Sequence, residues 1–191
     1  MKAKLFLLLG LILCIGITSA NAQMISKYAK KSQWDVGGSI GFVSTTDVVD
    51  GNTADKSSTT FTFQPYGAYF VIDGLELGIM PSIEYYKYDT YNTTNYTLYF
   101  APAYNFDTKS QFYPYVMGLI GYDGYNSGSV NVKGLAWGGE VGVKANLMGN
   151  SLLKLGIQYE QKTYNPSENP SGNRNGMNNV KVNLGFNVFF H

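Results

Sequence analysis

The sequence has little of what builds a soluble or metal-dependent domain. It contains one cysteine, Cys14, and one histidine, His191. A single cysteine excludes a disulfide within the chain and a site built from several thiolates. Charged residues make up 14% of the chain, whereas a typical soluble domain has about 25%. Such a sparse set of charges does not suit a surface that faces water on all sides.

Long apolar runs are also missing, except at the N-terminus. Residues 5–18 are apolar, follow Lys2 and Lys4, and precede an Ala-x-Ala site at 20–22. This order is typical of a secretory signal peptide, and the run is shorter than the ~17–25 residues that a membrane-spanning helix needs. We therefore predict a cleaved signal peptide at residues 1–22, and its removal takes Cys14 with it.

Aromatic residues and strict alternation are what the sequence does have. Aromatics make up 15% of the chain, and 16 of them are tyrosines. Apolar and polar residues alternate with a period of two, which is typical of strands that have two different faces. Each segment has about the 9–11 residues of a tilted membrane strand. The segments are 33–43, 60–71, 75–86, 96–106, 112–122, 135–147, 153–161 and 180–191.

The connections between these segments alternate in length. Long polar stretches lie near 46–59, 87–95, 123–133 and 163–178, and short ones near 73–74, 107–110 and 148–151. This pattern predicts hairpins with short turns in the periplasm and long loops outside the cell. We expect residues 23–32 to form a short periplasmic segment and 33–191 to form the barrel. Four prolines fall inside the strands and predict bulges. They are Pro65, Pro81, Pro102 and Pro114.

The polar face of the segments carries small residues and charges of both signs. Small side chains fit the narrow interior of an eight-stranded barrel better than a solvated exterior. The sequence therefore predicts an all-β, eight-stranded, antiparallel up-and-down transmembrane barrel. A soluble sandwich or a lipocalin-type barrel is the alternative. The predicted polar network of the lumen consists of Asp35, Glu76, Glu84, Glu140, Lys144, Lys154, Glu160 and Lys181. Lys162 lies on the same face, and a centred last hairpin would place Glu160 opposite Lys181.

On the apolar face, aromatic residues cluster near the ends of the segments. Rings of this kind favour the interface between lipid and water and form girdles around membrane barrels. The predicted girdle consists of Trp34, Tyr85, Tyr96, Phe112, Tyr122, Trp137 and Tyr159.

The closing stretch "GFNVFF" at 185–190 ends in alternating apolar residues and an aromatic. With this strand and the preceding pattern, the chain resembles the small outer-membrane β-barrel family that includes the OmpA transmembrane domain and OmpX. The resemblance implies that the barrel-assembly machinery recognises Gly185, Phe186, Val188 and Phe190. It also implies a monomer surrounded by outer-membrane lipids and lipopolysaccharide. His191 departs from the family pattern, because it follows the terminal aromatic.

The candidate chemistry is limited. Some barrels of this size modify lipid A, but a Ser–His–acid site needs a histidine beside the nucleophile, and His191 lies at the expected periplasmic terminus. We expect no cofactor, no metal and no nucleic acid. The sequence favours a structural or surface-interaction role, with an extracellular partner bound through 46–59 and 163–178. The alternatives are a lipid A-modifying enzyme and a narrow solute channel.

Overall fold

The computed structural model describes residues 27–49, 52–88, 91–127, 130–164 and 175–191. These ranges contain no helix that is long and apolar enough to cross a bilayer. The strands are β1 (Trp34–Val49), β2 (Asn52–Ile72), β3 (Leu75–Tyr88), β4 (Tyr91–Phe100), β5 (Ala103–Asn105), β6 (Phe112–Ser127), β7 (Val130–Met148), β8 (Ser151–Tyr164) and β9 (Asn175–Phe190).

The strands form one closed antiparallel sheet. Except for β4 and β5, consecutive strands pair with each other, and β1 also pairs with β9, from Trp34 opposite Phe190 to Val48 opposite Gly176. β4 and β5 pair with β3 and β6 in one continuous register, so they form a single wall strand. The wall therefore has eight strands, and the predicted up-and-down barrel is confirmed.

The two faces of the wall are inverted relative to a soluble protein. Large apolar side chains face outward, with Phe42, Ile120 and Leu135 each more than 60% exposed. The interior buries lysines, carboxylates and amides instead. Because soluble folds bury apolar side chains and expose charged ones, this arrangement requires an apolar surrounding. It excludes the soluble sandwich and the lipocalin-type barrel.

Three of the predicted long loops are mostly strand. β1 extends to Val49 and β2 begins at Asn52, so 46–59 is a hairpin, and 87–95 and 123–133 are also largely paired. Within 163–178, both ends belong to strands, and 165–174 lie outside the described residues. The loop prediction was wrong because polar residues indicate contact with water rather than loss of pairing. Threonine-rich stretches favour strands.

The in-strand prolines cause no bulge. β2 and β3 keep one register on both sides of Pro65 and Pro81, which places the two prolines opposite each other. Between Phe61 and Phe70, paired residues are missing only around this site, so both absent N–H groups interrupt the ladder at one place. Because each would have bonded the other proline, no donor is left over.

Pro102 and Pro114 also leave the register unchanged. Their carbonyls accept hydrogen bonds from the backbone N–H groups of Gly118 at 2.9 Å and Phe106 at 2.8 Å. The bulge prediction was therefore wrong. The shifts of register that the structure does contain lie between Thr46 and Val48, Phe70 and Ile72, and Asn146 and Met148.

One end of the barrel, here called the turn end, carries the short turns at 73–74, 106–111 and 149–150 together with residues 27–33. Gly74 and Gly149 have φ values of 83° and 57°, which a residue without a Cβ adopts at little cost. These turns lie where the sequence predicts them. At the other end of the barrel, here called the opposite end, the strands continue beyond the band of apolar outward side chains.

Candidate functional site: the charged lumen

All eight charged side chains predicted for the lumen point inward, and each is at most 2% exposed. Burying a charged group costs several kcal/mol unless partners and hydrogen bonds compensate for the lost water. Together with Asp123 and Lys162, which are also buried, they form two networks, one towards each end of the barrel. Each network contains three carboxylates and two lysines.

The turn-end network consists of Asp35, Glu76, Glu140, Lys144 and Lys154. Lys144 lies between two carboxylates, with its Nζ 2.8 Å from Asp35 Oδ2 and 2.8 Å from Glu76 Oε1. Its ammonium also donates to the hydroxyl of Tyr28 at 2.6 Å. The three N–H donors of the lysine therefore have three acceptors, which is the full capacity of an ammonium group.

Lys154, the other lysine of this network, pairs with Glu140, and its Nζ lies 2.7 Å from Glu140 Oε1. The ammonium groups of Lys144 and Lys154 both lie 5.4–5.7 Å from the ring centroids of Tyr66 and Tyr115. Tyr115 also donates its hydroxyl to Glu140. Two aromatic rings thus stabilise two buried cations through their π faces.

The opposite-end network consists of Glu84, Asp123, Glu160, Lys162 and Lys181. Lys181 pairs with both Glu84 and Glu160, and Lys162 pairs with Glu84 at 3.1 Å and Asp123 at 3.0 Å. Lys162 also lies 3.6 Å from Glu160. Glu160 accepts further hydrogen bonds from Tyr99, Gln158 and Asn179.

Two amides connect the networks. The side chain of Asn183 donates to Glu140 at 2.8 Å and to Gln158 at 3.0 Å. Gln158 in turn donates to Glu160 at 2.7 Å. A continuous set of polar contacts therefore runs along the lumen from one network to the other.

A glycine on β8 makes room for this arrangement. A Cβ at Gly156 would lie 2.4 Å from the Tyr115 hydroxyl and 2.7 Å from Glu140 Oε1. Both distances are shorter than any real contact of a Cβ. The small inward residues noted in the sequence thus provide the volume that the charged side chains fill.

The structure corrects the proposed register of the last hairpin. Glu160 lies opposite Asn179, and Lys181 lies opposite Gln158, two residues from the predicted pairing. Because a shift of two residues preserves the face, Glu160 and Lys181 still meet diagonally, 2.8 Å apart.

Sequence reasoning missed two members of the networks. The sequence predicts a loop at Asp123, although this residue continues the inward alternation of β6, and it places Lys162 on the polar face but outside the predicted network. Both are fully buried. The lumen also holds inward tyrosines that composition alone did not place, among them Tyr66, Tyr99 and Tyr115.

The turn end of the lumen is covered by residues that precede β1. Tyr28 and Ala29 are 0% and 2% exposed, although the sequence predicts only a short periplasmic segment at 23–32. The Tyr28 hydroxyl donates to Asp35 Oδ2 at 2.6 Å. Burial, together with the charges of Asp35 and Glu76, raises the pKa of Tyr28 well above its usual value. The hydroxyl therefore stays protonated and available as a donor.

The predicted girdle residues all lie on the outer face. Tyr85, Tyr96, Tyr122, Trp137 and Tyr159 lie on the opposite-end side of the apolar band, and Trp34 and Phe112 begin their strands at the turn end. The residues of the predicted assembly signal lie in β9. Phe186, Val188 and Phe190 face outward, and Gly185 faces inward, where a Cβ would lie 2.7 Å from the Gly38 carbonyl oxygen.

Groups for acid–base or metal chemistry are sparse in the described residues. His191 is exposed beyond the end of β9. In the described ranges there is no group of three or more histidine, cysteine, aspartate or glutamate side chains that could hold a metal ion. What the lumen offers is a set of mutually paired charges.

Comparisons with known proteins place this architecture. A search of curated proteins finds no match. Among solved structures, neisserial surface protein A aligns with a TM-score of 0.66 at 17% identity, over 82% of this chain and 97% of that one. OprG from Pseudomonas aeruginosa aligns with a TM-score of 0.51 at 16% identity, covering 85% and 97%. Ail, the attachment invasion locus protein of Yersinia pestis, aligns with a TM-score of 0.50 at 14% identity, over 84% of this chain and 99% of that one.

At these identities the likeness shows a shared fold. The sequence itself gives the family, because the model of the outer membrane protein beta-barrel domain matches residues 10–190. The chain belongs to the outer membrane protein beta-barrel domain family, and its place is the outer membrane.

Proposed function

We propose that the protein is a closed barrel that spans the outer membrane without conducting solutes. Its role is structural or is exerted through the extracellular ends of its strands, and it is not catalytic. The observation that supports this proposal is the packing of the lumen, where ten charged side chains are buried and paired with one another.

The width of the barrel agrees with a closed lumen. An interior of eight strands is just wide enough for side chains. Here the Tyr66 and Tyr115 rings and two lysines occupy the middle, and Tyr28 covers the turn end. A solute would have to separate buried ion pairs, each of which costs several kcal/mol to break.

The surface role rests on the shape of the opposite end. Short turns of outer-membrane barrels face the periplasm, so the opposite end is extracellular. There β1 continues from Phe42 to Val49, and β2 runs from Asn52 to Phe61 before the apolar band begins. We propose that this hairpin and residues 163–178 contact an extracellular partner. Outer-membrane lipids and lipopolysaccharide surround the monomeric wall below it.

Single-channel recording in planar bilayers tests the closed lumen. We expect no stable conductance steps from the wild-type protein. Replacing both central rings, Tyr66→Ala with Tyr115→Ala, removes the largest obstruction and should produce small steps. A wild-type conductance equal to that of the double variant would contradict the proposal.

A shortened hairpin tests the surface role. Joining Thr45 to Ser58 by an Asn-Gly turn keeps their pairing and removes the protruding part of the hairpin. We expect cells with this variant to lose adhesion to host-cell surfaces and to keep the detergent resistance that a full deletion lowers. A matched control inserts two residues between Gly149 and Asn150 in a periplasmic turn. Adhesion equal to wild type in the shortened variant would contradict a contact through this hairpin and would leave residues 163–178 as the proposed contact.

A further inference from the structure

Residues 27–32, here called the mouth segment, lie across the turn end of the lumen without joining the sheet. The ladder between β1 and β2 reaches one residue beyond Trp34, because Phe70 N–H donates to the Gln33 carbonyl at 2.9 Å. Before that point the chain turns inward. Ser32 has a φ of 70°, so the backbone changes direction there.

The Tyr28 ring fits a collar of inward apolar side chains, Phe70, Tyr113, Leu152 and Phe189. The ring centroid lies 5.4 Å from that of Phe70, 4.9 Å from that of Tyr113 and 5.1 Å from that of Phe189. Offset and edge-on pairs at these distances stabilise an aromatic cluster. At the turn end, four strands thus end their inward face on apolar residues that pack together.

The polar tip of the same side chain completes the turn-end network. The Tyr28 hydroxyl donates to Asp35 and accepts from Lys144, each at 2.6 Å, and its oxygen lies 3.3 Å from Asn105 Oδ1. Through its hydrogen bonds and ring pairs alone, Tyr28 contacts β1, β2, β5, β6, β7 and β9. Six elements of the wall must already be in place before this pocket exists.

The segment is held at the rim by a few contacts. Ser32 N–H donates to the Phe70 carbonyl and Gly74 N–H to the Ala29 carbonyl, both at 2.9 Å. Lys31 N–H donates to Asp73 at 2.8 Å. Ala29 and Ser32 have φ values of 61° and 70°, a left-handed conformation that costs about 1–2 kcal/mol per non-glycine residue. Docking therefore holds the segment in a conformation that the free chain would leave.

We propose that the mouth segment is a latch. It docks onto the barrel after the wall has closed, it can leave while the wall stays intact, and its departure opens the Lys144 network to the periplasm. This inference goes beyond the proposed function and needs only the orientation of the barrel from it. A conducting wild-type protein would contradict the proposed function and leave the latch to be tested separately.

Thiol labelling measures the opening directly. In a Cys14→Ser background, Ala29→Cys places one thiol under the docked segment, and Ser110→Cys places one on an exposed turn as the full-rate reference. A maleimide reagent is added to the folded protein in micelles. We expect Ala29→Cys to react at least 100-fold more slowly than Ser110→Cys.

Substitutions in the collar and at the rim should change the labelling rate of Ala29→Cys. Tyr28→Ala should speed the labelling of Ala29→Cys about 100-fold, the effect expected when a buried ring is truncated. Tyr28→Phe keeps the ring in the collar and should speed it about tenfold or less. Asp73→Asn weakens only the rim and should change it a few-fold. In every variant the unboiled protein should keep the altered gel migration of a folded barrel.

Two results would overturn the latch. One is an unchanged labelling rate in Tyr28→Ala, which would show that the ring does not hold the segment. The other is loss of the folded band in Tyr28→Ala, which would show that the segment is part of the wall's own folding unit. Neither readout measures conductance or adhesion.

Discussion

The two ionic networks of the lumen contain the same numbers of acids and bases but distribute their pairs differently. At the turn end, Lys144 is the only lysine within the described residues that pairs with Asp35 or Glu76. At the opposite end, Lys162 and Lys181 both contact Glu84 and Glu160. In the first network Asp35 and Glu76 depend on a single lysine, whereas in the second network two lysines share Glu84 and Glu160.

The networks also differ in what shields them from water. The opposite-end network is surrounded by side chains of the wall strands, such as Tyr99 and Asn179, which donate to Glu160. The turn-end network is covered by Tyr28, which precedes the wall. The attraction between buried charges is strong only while water is excluded. The stability of the turn-end network therefore depends on the mouth segment, which lies outside the sheet.

The largest predicted effect comes from removing Lys144, the lysine on which Asp35 and Glu76 both depend. Lys144→Met should lower the free energy of unfolding by about 3–5 kcal/mol, because two buried carboxylates lose their only lysine. Urea unfolding in lipid vesicles, followed by tryptophan fluorescence, measures the change. The variant should also label faster at Ala29→Cys, since Tyr28 loses one of its hydrogen bonds.

Lys181→Met is the matched substitution in the shared network. It should cost about 1–3 kcal/mol, because Lys162 remains within reach of both Glu84 and Glu160. Equal losses in the two variants would show that sharing does not protect the second network. The different distribution of ion pairs in the two networks would then have no effect on stability.

Much of this arrangement could be predicted from the sequence because a strand has a period of two. Once Trp34 is assigned to the outer face, Asp35 must face inward. The same alternation within their own strands places Glu84, Glu160 and Lys181 on the inner face. Register was harder, because a shift of two residues keeps every side chain on its face. Parity alone therefore could not tell whether Glu160 lies opposite Lys181 or Asn179.

Other features could not be predicted because their signals point elsewhere. Asp123 sits beside Gly124 in a polar stretch that is typical of a turn, although the ladder continues through it. Tyr28 has no periodic context at all, and apart from the nearby Asp35 its contacts come from five elements that are distant in the chain. Only the closed barrel brings them together, so local sequence carries no sign of that pocket.

The smallest predicted effect tests whether burial makes the difference. Asp107 lies in a solvent-exposed turn and pairs with Lys109 at 3.0 Å and Lys30 at 3.4 Å. The hydrogen bond from Lys109 holds the pKa of Asp107 below its usual value. The stabilisation that this ion pair gives is therefore present above the unfolded pKa of the carboxyl and is lost as the pH falls through the folded pKa.

Asp107→Asn should change the unfolding free energy by about 0.5 kcal/mol or less at pH 7, because water screens the pair. At a pH below that folded value, the variant and the wild type should unfold alike. A loss at pH 7 that approached the loss in Lys144→Met would show that the number of partners, and not their burial, sets the strength of these ion pairs.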